Sequence, residues 1–523
     1  MNGRRTKFLA MILATCLLFT LGGGFGGFAE GADPWRVDEP VTLTLWCIPD
    51  AKMTMTKESY GELAQFIEME KRTNITIEWI HPSAAQGGEQ FNLMLVSRDF
   101  PDMIQYDWSW AGGGPAATIA DGVILKLNDL MDEYAPALTQ IYADNPRWKR
   151  DIMLDDGTFY CVPFIRSDML VTLGTGLQIR QDWLDQLGLP IPSTFDEFES
   201  TLIAFKDLGD EIIPYGTGGP SWIGWFIPTF GVQRGMYNDN GTVKYGPIEP
   251  GFKEWLEAMT RWYQEGLISP EYPTHDATKL DQMITTNISG SYNGMLSGSM
   301  GRYLDLMRDE DPSFSLIGVP YLEGPNGKTY SPVQGPGPQT YGMAAISTGC
   351  KDPVAAMKWL DFQYSEEGQI LHNFGVEGIS YEIIDGRRIF KDIVLHNPDG
   401  LPVTNAVSQF CTLAVSWPSL MRGEAWSQML THEAQLKTLD IWGSTFDDSI
   451  IMPRISLTDD ESKAYAQIIN DIDILINETV DKVIMGIEPI SRYDEVVDSI
   501  LSMDIDRAIE IHQAALDRYF ARG

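Results

Sequence analysis

Positive charge is scarce in this sequence. Lys and Arg number 38 against 73 Asp and Glu among 523 residues, which gives a net charge of -35. A chain of this charge is repelled by phosphate backbones and by anionic lipid surfaces. We therefore expect no nucleic-acid partner.

Cysteine is also scarce. The five residues Cys16, Cys47, Cys161, Cys350 and Cys411 are scattered, with neither a CxxC nor a Cys/His zinc spacing among them. This spacing excludes a disulfide framework of the kind that stabilises small secreted domains. We expect free buried thiols, with one or two disulfides as the alternative in an oxidising compartment.

The usual enzyme motifs are missing. The chain has no HExxH and no GxSxG, and its six histidines never lie within five residues of each other. Two carboxylates at the right separation could serve a glycosidase, but the adjacent pair Asp155 and Asp156 is better explained as a hairpin turn with Gly157. We predict a protein that is not an enzyme, without catalytic residues, metal site or cofactor.

Long hydrophobic runs are absent after the N-terminus. Three cations precede the apolar run 8–21, and small residues follow up to Ala29, which is the pattern of a secretory signal peptide. We predict cleavage after Ala29, so residues 1–29 leave and the net charge becomes -38 because three cations go with them. No later window has the roughly 18 apolar residues that span a bilayer, so the mature protein is predicted to be secreted or held at the extracellular face of the cell envelope.

A lipid anchor is the alternative for this segment. Residues 13–16 end in Cys16, as a lipoprotein signal does. Thr15 is a poor residue at that position, and Cys16 lies in the middle of the apolar run. The sequence therefore leaves lipidation open and favours simple secretion.

The mature chain reads as an α/β protein. It is 44% hydrophobic and 21% charged, as in soluble globular proteins, and its length predicts two or three compact units. Strand patterns at 41–46, 75–79 and 100–106 alternate with helical patterns at 60–72 and 90–96, an order that predicts a mainly parallel sheet. A capping box at Ser193 or Thr194 with Glu197 predicts the helix 195–206, and the chain ends in helices. With no linker visible, we expect the units to be interleaved.

Tryptophan is abundant, and several of the 15 residues lie in glycine-rich contexts. Trp108 and Trp110 precede AGGG, while Trp222 and Trp225 follow GTGGPS. In parallel sheets, ligands bind beyond the carboxyl ends of the strands. An indole on such a loop suits the apolar face of a sugar ring, with core or lid packing as the alternative for each residue.

Short motifs recur in an order and spacing typical of one family. They are SRDFPDMI (97–104), DGTFYCVP (156–163), IRQDWLDQLGL (179–189), PSTFDEF (192–198), YSEEGQ (364–369), GVEG (375–378) and AALDRY (514–519). Together they resemble the extracellular solute-binding proteins of carbohydrate ABC importers, specifically the long lipoprotein-like branch of Gram-positive bacteria.

The resemblance implies a type II periplasmic-binding-protein-like fold, similar to maltose-binding protein. It has two α/β lobes joined by a hinge that the chain crosses more than once. Lobe one would hold 33–176 plus 318–372, and lobe two 177–317 plus 373–523. A sugar would bind in the cleft, on residues that the resemblance assigns to its two lips and to the crossover: Trp46, Tyr106, Trp108 and Trp110 on the first lip, Arg180 near the crossover, and Trp222, Trp225 and Tyr292 on the second.

Arg180 has two interpretations. It could form a bidentate pair with the carboxylate of an acidic sugar, or an internal bond to Asp182, and the Arg-x-Asp-Trp pattern favours the internal bond slightly. Relatives often carry a calcium loop after the helix equivalent to 195–206. Here 207–214 lacks the oxygen-ligand ladder of such a loop, so no calcium is predicted.

The predicted function is therefore the oligosaccharide-binding component of an ABC importer. It would be a monomer that captures its sugar by hinge closure and docks on the transmembrane permease subunits. Two alternatives remain: a secreted polysaccharide hydrolase or lyase, and a sensory sugar-binding protein that docks on a signalling receptor.

Overall fold

The computed structural model describes residues 33–522, apart from the side chain of Asp459. The predicted signal peptide and Cys16 lie outside the described residues. From Trp35 onward the chain forms one compact unit. Within residues 33–522, no helix is long and apolar enough to cross a membrane.

The first sheet is the predicted parallel one. Strand Val41–Trp46 pairs in parallel with Ile75–Ile80 on one side and with Met103–Gln105 on the other. A fourth strand, Ala344–Ile346, joins Met103–Gln105 antiparallel from far along the chain. The β-α-β-α-β prediction is confirmed, and the fourth strand shows that the chain returns to this sheet after building other parts.

The second sheet has a mixed arrangement. Its strands, in spatial order, are Leu316–Gly318, Thr175–Arg180, Ser291–Met295 and Tyr215–Gly216. Thr175–Arg180 pairs antiparallel with both neighbours, and Tyr215–Gly216 is parallel to Ser291–Met295.

Smaller sheets complete the strand inventory of the described residues. They are the three-stranded sheet Gly337–Pro338, Ile165–Arg166 and Leu420–Met421, and the hairpins Tyr381–Ile384 with Arg387–Phe390 and Met236–Asp239 with Thr242–Tyr245.

Helices surround both large sheets. In chain order the α-helices are Ala51–Thr54, Ala64–Thr73, Gly87–Ser97, Gly114–Ala120, Asn128–Tyr134, Pro136–Asp144, Pro146–Ile152, Met169–Thr172, Gln181–Leu187, Phe195–Lys206, Pro250–Gln264, Ala277–Thr285, Arg302–Met307, Pro353–Phe362, Glu366–Phe374, Asp392–Leu395, Val403–Val407, Gly423–Ser427, Glu433–Ser444, Asp459–Ile484, Ser491–Leu501 and Ile505–Ala521. The capping box of Phe195–Lys206 is confirmed at Thr194: its hydroxyl accepts from the Glu197 N–H at 3.1 Å, and the Glu197 carboxylate accepts from the Thr194 N–H.

Two large hydrophobic cores underlie the two sheets. The first core draws its buried residues from 43–165, 343–371 and 415–420. The second draws them from 177–330 and 450–508. The chain therefore passes from one core to the other near residues 170, 335 and 440, as a hinge with several crossovers requires.

The predicted lobe boundaries stay a prediction, and the cores suggest one change. Trp417 and Leu420 pack into the first core, and the cluster around Phe374 and Cys411 includes Phe164 and Val171. We propose that residues 373–421 belong with lobe one instead of lobe two.

The four cysteines of the described residues, Cys47, Cys161, Cys350 and Cys411, are free thiols. Burial raises the pKa of each thiol, because desolvation disfavours the thiolate. Their thiols are therefore held in the unreactive protonated form.

Candidate functional site

A cavity of about 550 Å³ lies between the two cores. One wall comes from the loop 109–116 and the segment 151–160, whose residues Ala111 and Met153 belong to the first core. The other wall is the segment 454–462, which runs into the helix Asp459–Ile484 that packs in the second core. The volume lies within the range of about 300 to 1,000 Å³ that ligand pockets occupy.

The loop wall is built directly after a strand of the first sheet. Where Met103–Gln105 ends, Asp107 caps the short 3-10 turn Trp108–Trp110 by accepting from the Ser109 N–H at 3.0 Å. Gly113 and Gly114 follow with φ of 76° and 72°, in the left-handed region that favours glycine. These two residues turn the chain into the helix Gly114–Ala120, so that the loop faces the cavity at the carboxyl end of the strand, where a parallel sheet binds its ligands.

The opposite wall is held in place by the C-terminal helix Ile505–Ala521. Arg522, directly after it, donates from Nη1 to the Arg454 carbonyl at 3.1 Å and from Nη2 to Ser456 Oγ at 2.8 Å. Arg518 donates to the Ser456 carbonyl at 3.1 Å. The irregular segment 454–458 is thus fixed by side chains from the end of the chain.

Three carboxylates line the cavity, and each has partners within the protein. Asp155 is bound by Arg518 and by Arg522, each at 2.5 Å. Asp151 accepts from the Tyr519 hydroxyl at 2.7 Å, and burial raises the pKa of Asp151 because desolvation disfavours its charge. Asp156 accepts from the Thr158 N–H at 3.0 Å, as the predicted turn requires.

Arg454 differs from the other charged groups of the cavity. Its Nε is buried without a hydrogen-bond partner, and its guanidinium forms no ion pair with the residues that the structure describes. Asp151, Tyr160, Tyr341 and Asp107 are the acidic groups that act on it through space. Burial lowers the pKa of Arg454, since desolvation penalises the cation.

Three of the four residues predicted for the first lip, Trp46, Tyr106 and Trp108, form one aromatic group with Phe91. Tyr106 stacks on Phe91 with centroids 3.7 Å apart, and Trp46 and Trp108 each lie 6.3 Å from the Tyr106 ring. Trp46 and Trp108 are buried, at 5% and 0% exposure, whereas Trp110 is 77% exposed. None of the four is among the residues that line the cavity, but Ser109 and Ala111, on either side of Trp110, are. Of these four residues, Trp110 is the indole presented to solvent, and the other three pack behind the loop.

The residues predicted for the second lip lie elsewhere. Trp222 and Trp225 stack on each other at 6.5 Å in the 3-10 helix Pro220–Phe230, and Tyr292 is buried, donating to Gln178 Oε1 at 2.6 Å. None of the three lines the cavity. Their predicted role in ligand binding stays untested.

Arg180 forms the internal bond to Asp182, which was the second of its two interpretations. Its guanidinium donates to both oxygens of Asp182, at 2.8 and 2.6 Å, and to Asn287 Oδ1 at 2.6 Å. It is buried between the rings of Trp183 and Phe314. The side chain packs against Trp183 of the second core and is not among the residues that line the cavity.

Sequence reasoning missed the polar residues that do line the cavity. Arg454, Asp151 and Thr340 carry no motif, and Tyr160 lies in the motif DGTFYCVP but was given no role in binding. The one local signal is that Arg454 follows Pro453 in a stretch without helical or strand periodicity, just before the helix-starting capping box of Thr458 and Glu461. Such a position marks a structured loop.

Metal binding has no visible basis in the part of the chain that the structure describes. No group of three or more His, Cys, Asp or Glu is close enough there to hold an ion. The predictions of no metal and no cofactor stay predictions.

Comparison with known proteins identifies the family. The family model described as bacterial extracellular solute-binding protein matches residues 55–370, more than half of the chain. The chain belongs to this family.

Curated relatives and a solved structure agree with this assignment. Lipoprotein LipO of Bacillus subtilis is 28% identical over 65% of this chain and 68% of its own length. The fructooligosaccharide ABC transporter substrate-binding protein FusA of Streptococcus pneumoniae is 26% identical over 59% of each chain. The crystal structure of the alginate-binding protein AlgQ2 without calcium ion superposes with a TM-score of 0.72 at 26% identity, covering 92% of this chain and 99% of that one. The two-lobed, periplasmic-binding-protein-like α/β fold is confirmed.

Proposed function

We propose that this chain is the substrate-binding component of a carbohydrate ABC importer, which captures an oligosaccharide between its lobes. The observation that carries the proposal is the cavity between the two cores, which polar side chains line in part. Trp110 is exposed on its loop wall, between the lining residues Ser109 and Ala111. The names of the relatives support a saccharide as the ligand: FusA is a fructooligosaccharide-binding protein, and AlgQ2 binds alginate.

The cavity has the two kinds of surface that a sugar needs. Ser109, Thr340, Tyr160 and Thr458 offer hydroxyl groups to the sugar hydroxyls. Trp110 offers an exposed ring for the apolar face of a pyranose or furanose. Because the walls come from different cores, closing the lobes on each other would bury the sugar, and opening them would release it.

A partner follows from the family. The closed, loaded protein would dock on the transmembrane permease subunits of the importer, outside the membrane. Anchoring through Cys16 stays a proposal, because that residue lies outside the described part of the chain.

A hydrolase is the competing function, since Asp151 and Asp155 line the same cavity. Asp155, however, is bound by two arginines, and Asp151 accepts from Tyr519. Carboxylates with these partners are structural in our proposal, and the bound sugar leaves unchanged.

The test is a binding experiment with product analysis. The chain from Glu30 onward, which contains the whole compact unit, is titrated by calorimetry with neutral and uronic-acid oligosaccharides, and each ligand that binds is recovered and analysed by chromatography. We expect binding with the ligand recovered intact and, by small-angle X-ray scattering, a smaller radius of gyration in the complex. Cleaved ligand would support the hydrolase or lyase, and absence of binding across the panel would overturn the proposal.

A matched pair of variants tests whether the sugar binds at this cavity. Trp110→Ala removes the exposed indole between the lining residues Ser109 and Ala111, and Phe520→Ala removes an aromatic that is 56% exposed and has no lining residue next to it in the chain. We expect about tenfold or greater loss of affinity for Trp110→Ala, within the range that aromatic contacts contribute. Equal affinity of both variants and the parent protein would mean that the sugar binds elsewhere.

A further inference from the structure

One cation faces the cavity without a partner. Arg454 is the single Lys or Arg among the lining residues described, and its guanidinium forms neither a hydrogen bond nor an ion pair with the described residues. The arginines around it are paired: Arg518 with Asp155 and Glu461, and Arg522 with Asp155. Of the four arginines in the described residues whose buried Nε lacks a hydrogen-bond partner, Arg150, Arg166, Arg388 and Arg454, only Arg454 lines the cavity.

This arrangement is costly for the protein alone. A largely buried charge without an ion pair loses its hydration, and acidic groups at longer range, such as Asp151, offset only part of that cost. A ligand that supplied the missing partner would offset this cost. The planar guanidinium presents its donors as a fork, which matches the two oxygens of a carboxylate.

The carboxylates of the lining do not oppose an anion as strongly as their number implies. Two arginines compensate Asp155, and Lys126 Nζ lies 3.6 Å from Asp156. Asp151 is turned toward Tyr519, with Arg147 Nε at 3.8 Å. Arg454 is left as the charged lining residue without an ion pair to the described residues.

We propose that Arg454 binds a carboxylate of the ligand, and that the cavity selects oligosaccharides containing uronic acid over neutral ones. This inference rests on the proposed function, because it names the class of saccharide that the same cavity takes. The hydroxyl groups of Ser109 and Thr340 then bind the neutral part of the sugar.

The test compares acidic and neutral forms of the same sugar. The probes are oligogalacturonate trimers and their methyl esters, and trimers of mannuronate, guluronate and glucuronate with the corresponding neutral trimers of mannose, gulose and glucose. Calorimetry measures each pair on the chain from Glu30 onward and on its Arg454→Gln variant. We expect at least one acid to bind about tenfold or more tightly than its neutral partner, and Arg454→Gln to weaken that acid by about 10- to 100-fold, the range for hydrogen bonds to charged groups.

Two further variants separate recognition from general effects of charge and folding. Lys149→Gln removes one positive charge from the neighbouring helix Pro146–Ile152 without touching the cavity lining, and its affinities stay unchanged. Arg454→Lys keeps the charge but loses the fork, so we expect an intermediate loss. The melting temperature of ligand-free Arg454→Gln stays equal or rises, because the variant loses an unpaired buried charge.

Three outcomes overturn the inference. If neutral trimers bind as tightly as acidic ones, and Arg454→Gln weakens both equally, the selectivity is wrong while the proposed function stands. If Arg454→Gln lowers the melting temperature by several degrees without ligand, Arg454 is structural. If no saccharide binds, acidic or neutral, the proposed function fails as well.

Discussion

Arg522 and Asp155 form a buried ion pair that joins the end of the chain to the cavity wall. Arg522 Nη2 lies 2.5 Å from Asp155 Oδ1, and the Arg522 side chain is 1% exposed. Arg518, one helical turn earlier, binds the other oxygen of the same carboxylate. The C-terminal helix begins with Ile505 in the second core, and Asp155 follows Ile152 of the first core. The Asp155 carboxylate therefore connects a segment of the first core to the helix that begins in the second core, beside the cavity.

The first prediction tests this connection. Asp155→Asn leaves Arg522 buried without its counter-ion, and we expect the free energy of unfolding to fall by about 3 kcal/mol, as when one partner of a buried pair is removed. Asp156→Asn is the matched control, because Asp156 is exposed in the same turn and its salt bridge to Lys126 is on the surface. Urea denaturation measures the free energy of unfolding of both variants. Equal losses in the two variants would contradict the assigned role of Asp155.

The second prediction separates two tryptophans that lie two residues apart. Trp108 is fully buried against Phe91 and Tyr106, so Trp108→Ala should lower the free energy of unfolding by about 3 to 5 kcal/mol. Trp110 is exposed, so Trp110→Ala should change it by less than about 0.5 kcal/mol. Thermal or urea unfolding measures both variants. A Trp108→Ala variant as stable as the parent protein would mean that the ring is not part of the core.

Trp108 and Trp110 show that the sequence does not predict which side chains of this loop are buried. Both lie in the same glycine-rich context, yet the helix Gly87–Ser97 brings Phe91 against one of them and leaves the other outside. Local periodicity does predict the parallel sheet, the Thr194 capping box and the C-terminal helices, because those depend on neighbours in the chain. Side-chain burial at a loop depends on distant segments, which no local pattern records.

Arg454 illustrates the same limit at the candidate site. Its backbone is held by Arg522 across a separation of 68 residues, and its side chain faces a wall made by residues 109–160. Nothing in the local sequence around Pro453 predicts this neighbourhood. Arg180 shows the reverse case, since its internal bond to Asp182 is local and was foreseeable from the Arg-x-Asp pattern.

The third prediction concerns stability in mild acid. The Thr412 hydroxyl donates to Gln65 Oε1, so it accepts from His372 Nδ1–H at 2.7 Å, and His372 Nε2 is buried without a partner. Burial lowers the pKa of His372 to about 3, because the cation would be desolvated. The folded pKa is thus below the unfolded one, and the stability from neutral His372 is present above about pH 6.5 and is lost as the pH falls toward 3.

A pair of histidine variants measures this contribution. Between pH 7.5 and pH 5, the parent protein should lose roughly 2 kcal/mol more stability than His372→Leu, from linkage at that single site. His396→Leu replaces a histidine that is exposed, with 74% of its side chain accessible, and should keep the pH dependence of the parent. Identical pH profiles for the parent and His372→Leu would show that His372 does not titrate as its burial requires.

The fourth prediction concerns Asp361, a buried acid whose contribution to stability depends on pH in the opposite direction. Asp361 accepts from the N–H groups of Ala137 and Leu138 at the start of the helix Pro136–Asp144, and from Trp35 Nε1 at 2.8 Å. Burial raises the pKa of Asp361 to about 6, while these donors lower it in part. Stability from the protonated acid is fully present below its unfolded pKa near 4 and is lost as the pH rises through about 6.

Trp35→Phe tests the ionised state directly. The indole donor should be worth about 2 kcal/mol to the charged carboxylate at pH 8 and about 1 kcal/mol to the neutral acid at pH 4.5, because hydrogen bonds to charged groups are the stronger ones. Trp148→Phe is the control, since Trp148 Nε1 donates to the neutral Pro336 carbonyl at 3.0 Å and its loss should not depend on pH. Urea unfolding of the parent and both variants at the two pH values gives the comparison. If the stability loss of Trp35→Phe were as independent of pH as that of Trp148→Phe, Asp361 would keep one protonation state between pH 4.5 and pH 8.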